Sequence, residues 1–319
     1  MATMAQPQGA VTAGKALTPT IRRKFNWTPY LFILPHLIMF AAFIGWPFIN
    51  GLLISFQQYD ILRPEANKYI GLENYTSLFD SNSIHSGTFW NALVNTVQFV
   101  LYSVPPLVIL ALLLALLLNT KVPGVNLFRG IYFAPWVLSV AVIGILWWWI
   151  FQSQGGLINY YLSNMGLTGP RWLSSMPWAW IAITVATVWW TVGFNMIILL
   201  AALQDIPDQL YEAASIDGAT GSQAFWRITL PMLRPVLAFV VTITIIASFN
   251  LFGQPFFMTG GNPPAPGGGG STEPIMYRIY ITGFTGSADQ GRASAMGFLV
   301  AIMMIVLSYI NFRLFRERK

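Results

Sequence analysis

The chain contains no cysteine, which removes disulfide frameworks, thiolate nucleophiles and Cys-type zinc sites from consideration. It is also poor in charge: 9% of its 319 residues are Asp, Glu, Lys or Arg, against about 25% in ordinary soluble domains. Histidine occurs twice, and neither His36 nor His85 has the converging partners that a metal needs. No G-x-x-x-x-G-K-[ST] phosphate loop occurs, so a nucleotide that drives this protein must be held by another subunit. Paired carboxylates, a nucleophile with its base, or metal ligands near a membrane face are missing as well, which sets aside a membrane enzyme.

What remains is apolar. Hydrophobic residues make up 55% of the chain, and crossing about 30 Å of hydrocarbon takes roughly 20 consecutive apolar residues. Six stretches qualify, at about 30–56, 91–118, 130–151, 178–203, 236–258 and 294–312, so the expected fold is an all-α polytopic membrane protein. None of the 28 charged residues falls inside these spans, which leaves no obvious proton or ion-coupling group. Lys and Arg divide 12 to 5 between the two sides, and the excess marks the cytoplasm. Both termini are therefore expected there, with tails at 1–29 and 313–319. The apolar run after Arg22, Arg23 and Lys24 is too long for a signal peptide's core. The net charge of +6 is read as a topology signal, and no nucleic-acid partner is expected.

Between the spans, His85 sits in a loop at about 57–90 expected to be packed rather than functional. Pro105 and Pro106 should bend span two, since each removes a backbone donor. The run Met258–Pro274, with four consecutive glycines, is expected to be a flexible linker. Trp27, Trp90, Trp172, Trp178 and Trp180 fall at membrane boundaries, where amphipathic rings anchor helices. Trp147, Trp148 and Trp149 point about 100° apart on a helix and cannot share one cavity.

The most polar inter-span segment runs from Asp205 to Pro235, on the cytoplasmic side. Asp205 is placed to cap a helix from about Ile206 to Ile216, with Pro207 early and acids in its first turns. Asp217 and Gly218 then break the chain, because Asp-Gly tolerates left-handed backbone. Ser222 should cap a second short helix that Pro231 and Pro235 end before span five. Glu212 beside Ala213 and Ala214 offers a partner arginine a carboxylate with little steric obstruction. An amphipathic connector without a partner fits these residues equally well.

Glu212, Ala213, Ala214, Asp217, Gly218, Ala219, Phe225, Ile228, Leu230, Pro231 and Pro235 follow the pattern EAA-x-x-DGA-x5-F-x-x-I-x-LP-x3-P. The pattern resembles the EAA loop of permease subunits of bacterial ABC importers, and the DGA form resembles their carbohydrate branch. "GLENY" at Gly71, "NALVNT" at Asn91, "FRGIYFAPW" at Phe128, "GLINYYL" at Gly156, "VGFNM" at Val192 and "MTGG" at Met258 are similar to the larger maltose permease subunit. The loop after Gly261 departs from it, being longer and richer in glycine. The resemblance implies a type I importer fold in a prokaryotic cytoplasmic membrane, a second related permease subunit, two ATPase copies carrying ATP and Mg, and an extracytoplasmic solute-binding protein. It implies no cofactor on this chain. It also implies that Glu212, Ala213, Ala214, Asp217, Gly218, Ala219, Phe225 and Pro231 couple to the ATPase, with Glu212 pairing an arginine and Gly218 forming the turn.

A polyol needs hydrogen bonds and aromatic stacking without buried charge. Asn250 and Gln254, four residues apart on the expected span five, are the first candidates for substrate contact. Asn195 follows, with Trp190 as a stacking partner; an interhelical hydrogen bond is the competing role for each amide. A stand-alone secondary transporter or channel is the alternative function, distinguished by the absence of an associated ATPase.

Overall fold

The computed structural model describes residues 28–315 except 62, 121–123, 267 and 287. The tail at 1–27, Lys121 and the positions 316–319 lie outside the described residues. The chain divides into two units at Ile49 and Asn50. In the first, α1 (Thr28–Phe40) passes through a π turn at Ala41–Gly45 into α2 (Trp46–Ile54). Apolar side chains cover it: Phe32 is 83% exposed and Phe43 70%. A helix apolar all round suits lipid.

The second unit takes in the end of α2 from Asn50 and then a two-stranded hairpin, β1 (Gln57–Gln58) against β2 (Lys68–Tyr69), followed by α3 (Glu73–Thr76). The "GLENY" motif has a structural job here. Asn74 is buried and donates to the carbonyls of Ser55 and Gln57 at 2.9 and 2.8 Å, and Tyr75 Oη bonds Ser55 Oγ at 2.7 Å.

Three helices form the core: α4 (Ile84–Leu118), α8 (Trp178–Gln204) and α11 (Leu230–Phe249). Between them come α5 (Val125–Phe133), α6 (Val140–Ile150), α7 (Leu157–Asn164), α9 (Asp208–Ile216) and α10 (Gly221–Ala224). Leu107, Ala111 and Ala115 of α4 pack with Met196, Leu199 and Leu203 of α8 and Leu233 and Val240 of α11. The small Ala111 and Ala115 are completely buried, as close helix approach requires. α4 is unbroken across Pro105 and Pro106. The chain ends with α12 (Ile275–Phe284) and α13 (Gln290–Phe315).

Among the described residues, five helices are long and apolar enough to cross a membrane, and six if a broken pair counts as one. That pair corrects the third span. Instead of one helix over 130–151, Val125–Val137 meets Val140–Ile150 at 97°. Pro135 sits in a 3-10 turn, and Ser139 caps a new helix by accepting from Val142 N. The fifth span is corrected at both ends. It runs without a stop from α10 through a π turn at Phe225–Thr229 into α11, with Pro231 in its first turn, and ends at Phe249.

The glycine-rich run is no flexible linker. Asn91 and Asn95 of "NALVNT" reach it from α4: Asn95 Nδ2 donates to the carbonyls of Gly270 and Glu273 at 2.8 and 3.0 Å, Asn91 Nδ2 to those of Gly268 and Gly270. Thr96 Oγ1 accepts from Ile275 N at 2.8 Å. Glu273 pairs with Arg278, and its other oxygen accepts from Gly270 N. Burial holds the Glu273 carboxyl above the usual carboxylate range, against the pull of Arg278. Glycine supplies the tight packing: a side chain at Gly270 would run into the Gly261 carbonyl.

Candidate functional site

Polar residues recur every four positions along α8, at Thr187, Thr191 and Asn195, and again on α11 at Thr244 and Ser248. On a helix that spacing builds one stripe. The two stripes line one side of a cavity of about 440 Å³, inside the ~300–1,000 Å³ range of small-ligand sites. Asn250 and Gln254 line it as well, with Trp136, Trp190, Phe194 and Phe252 supplying aromatic surface. Among the described residues, no Asp, Glu, Lys or Arg lines it.

All four residues expected to contact substrate therefore meet in one place, though for a different local reason. Asn250 and Gln254 do not share a helix face, because α11 ends at Phe249. Asn250 turns back to donate from Nδ2 to the Ile246 carbonyl at 2.8 Å, and the helix restarts at Gly253. Gly253 is necessary at that restart, since a side chain there would overlap the Val140 methyls. Asn195 takes the competing role too, donating to Thr244 Oγ1 at 3.1 Å across the α8–α11 contact.

The donors and acceptors are unevenly spent. Thr187, Thr191 and Thr244 give their hydroxyl protons to carbonyls one turn back, at 2.8, 2.7 and 2.7 Å. Thr244 also accepts from Asn195, while Thr187 and Thr191 keep lone pairs to accept with, so the stripe suits a ligand that brings hydroxyl protons. The Gln254 side chain is buried and makes no hydrogen bond to a described residue, which leaves its amide for the cavity. Trp190 is occupied at its edge, Nε1 donating to the Leu138 carbonyl at 3.2 Å. That bond pins the break between α5 and α6. The sequence reading missed Trp136, which stacks on Phe194 with centroids 4.7 Å apart. It also missed Thr187 and Thr191, whose four-residue spacing with Asn195 was a readable signal.

At the far end of α8 lies the segment 205–235. Asp205 closes α8 instead of capping α9, whose N-cap is Pro207. α9 ends in a Schellman turn: Ala219 N donates to the Ala214 carbonyl at 2.9 Å and Gly218 N to that of Ser215 at 3.1 Å, with Gly218 at φ +76°. Positive φ of this size favours glycine. The second helix is capped by Thr220, not Ser222, in a reciprocal capping box with Gln223. Tyr211 Oη bonds Thr229 Oγ1 at 2.9 Å, tying α9 to the base of α11. Glu212, Ala213, Asp217 and Gly218 are exposed, Ala214, Ala219 and Phe225 half-buried. Ile216 at 86% and Trp226 at 63% add exposed apolar surface.

Residues 119–316 match the family described as the binding-protein-dependent transport system inner membrane component. The arabinooligosaccharides transport system permease protein of Bacillus subtilis is 33% identical over 288 residues, covering 90% of this chain and 88% of that protein. The trehalose/maltose transport system permease protein of Thermococcus litoralis is also 33% identical, over 303 residues, with 95% and 98% covered. Among solved structures, a bacterial alginate ABC transporter in complex with an alginate pentasaccharide-bound periplasmic protein superimposes with TM-score 0.77 at 26% identity. That alignment covers 91% of this chain and 94% of that one. The chain belongs to the family of inner membrane components of binding-protein-dependent transport systems and is the permease subunit of an ABC importer.

Proposed function

We propose that the solute is a neutral sugar or sugar-like molecule, taken through a channel formed by this chain and a second related permease subunit. The observation that carries the reading is the pair of facing stripes on α8 and α11, which give an uncharged cavity amides, hydroxyl acceptors and aromatic faces. A buried ion without a countercharge is heavily penalised, so this wall favours an uncharged polyol over a phosphorylated or acidic solute. Asn250, Gln254 and Asn195 supply hydrogen bonds, and Trp190 with Trp136 supplies aromatic surface. The names of sugar and oligosaccharide permeases among the relatives agree with this.

Two copies of an ATPase dock under the 205–235 segment, carrying ATP and Mg, and this chain binds no cofactor. Glu212 pairs with an ATPase arginine across the small Ala213 and Ala214; Asp217, Gly218 and Ala219 fix the angle between the two short helices. Phe225 and Pro231 then pass movement directly into α11, since no break separates the loop from the span. An extracytoplasmic binding protein delivers the solute at the opposite face. Both termini lie in the cytoplasm of a prokaryotic cell, with tails at 1–29 and 313–319 around the permease domain, which contacts lipid and no nucleic acid. A stand-alone secondary transporter finds no coupling carboxylate in the cavity lining. Sugar uptake at limiting concentration tests the substrate class: Asn250→Ala and Gln254→Ala should each raise the half-saturating concentration with assembly intact. Unchanged uptake by both would remove the cavity from the account.

A further inference from the structure

A second, more open hollow, of about 400 Å³, lies at the end of the helices where α8 begins, away from the 205–235 segment. Two elements run from the central cavity to it. α6 has Val140 at the first and Trp148 at the second, about 12 Å apart at 1.5 Å per residue. The segment after Gly253 has Gln254 at the first and Met258 and Thr259 at the second. These elements are packed face to face, so tightly that a Cβ at Gly144 would come within 2.5 Å of Phe257 Cβ. Their seam is the partition between two chambers.

The chemistry of the first chamber is repeated in the second. Its lining includes the Trp148 indole and the amides of Gln152, Gln154 and Asn262, and, among the described residues, no charged side chain. Gln152 and Gln154 make no side-chain hydrogen bond to a described residue, while Asn262 is aimed by donating to the Thr259 carbonyl at 3.0 Å. The rim is held in place. Asn159 Nδ2 donates to the carbonyls of Ser153 and Pro170, and its Oδ1 accepts from Trp172 Nε1 at 2.8 Å. Phe151, Met258, Trp147 and Trp172 pack beneath it.

We propose that this chamber is a separate binding site for a neutral saccharide, with Trp148 as the stacking surface and Gln152 and Gln154 as the paired donors and acceptors. An anion would need a cation in the lining and a metal would need carboxylates; neither lines this chamber. The inference rests on the sugar reading of the central cavity and adds a second station on the same path, behind the α6 partition.

The absence of native cysteine permits a direct test with the full chain in lipid nanodiscs. Ser174→Cys places a thiol in the second chamber and Ala247→Cys one in the central cavity. Maleimide labelling of each is timed with and without maltose, lactose or trehalose. One sugar should slow both, roughly tenfold at ten times its Kd. Protection at Ser174→Cys should survive Asn250→Ala and disappear with Trp148→Ala or with Gln152→Ala and Gln154→Ala combined. Protection at Ala247→Cys alone overturns the second site and leaves the sugar reading intact. Protection at neither overturns both. Loss of Ser174→Cys protection in Asn250→Ala, with Trp148→Ala silent, assigns the effect to the central cavity and also overturns the proposal.

Discussion

Replacing Gly218 isolates the geometry of the coupling segment from its contacts. At φ +76° a Cβ would meet nothing within 4 Å, so an alanine there suffers no clash. Its only cost is the left-handed backbone, roughly 1–2 kcal/mol for an L-residue. Spent locally, that reduces the population of the Schellman turn by a factor of about 5–30. The turn sets the direction in which Ala219 and the Thr220 cap leave α9, so uptake should fall while the helices and membrane insertion persist. Asparagine visits left-handed backbone more readily, and a β-branched residue least. Uptake of labelled sugar in cells, normalised to membrane protein, should therefore rank glycine above asparagine, asparagine above alanine and alanine above valine. Wild-type uptake by Gly218→Val, or alanine outperforming asparagine, would refute a role for the turn.

Glu212 is exposed and has no ion-pair partner among the described residues, so Glu212→Lys should leave folding intact and weaken ATPase co-purification and uptake together. Gly193→Ala drives a Cβ into the Tyr132 carbonyl; backbone yields poorly, and thermal unfolding in detergent should show a loss of about 1–3 kcal/mol. Glu273→Gln keeps acceptors toward Gly270 N and Arg278 without the charge that burial disfavours, so it should change stability by less than about 1 kcal/mol, while Arg278→Met leaves the buried Glu273 carboxyl without its partner and should cost about 1–3 kcal/mol. Because burial raises the Glu273 carboxyl above its ordinary 4.5, its contribution is full below that pH and is lost as pH rises through the folded value. Glu273→Gln should remove that slope from the stability profile.

The spans were legible because a bilayer demands long uncharged runs, and most ends moved by only a few residues. The breaks were harder. Pro135 and Ser139 spell a helix stop and a new cap, yet the apolar run continues across them, so hydropathy joined what the backbone separates at 97°. Pro231 and Pro235 misled in the opposite direction. The wider π turn at Phe225–Thr229 shifts the backbone hydrogen-bond register just ahead of Pro231, so the helix passes the ring without a stop. Thr220 with Gln223 was a readable capping box that Ser222 obscured. For the glycine-rich run, composition pointed to a linker because its order comes from elsewhere: Asn91, Asn95 and Thr96 sit more than 170 positions away in the chain. Asn250 and Gln254 both line the cavity although the helix they were assigned to stops at Phe249, before either of them. Both still face it, because the helix breaks at the cavity wall.

The most direct test is uptake of a radiolabelled neutral sugar by membrane vesicles carrying the tagged chain with its native partners, measured with and without ATP, alongside recovery of the tagged complex. Uptake is expected only with ATP, with an ATPase recovered on the tag and with both uptake and ATPase lost in Glu212→Lys. Sugar uptake in ATP-depleted vesicles, with no ATPase on the tag, would contradict this.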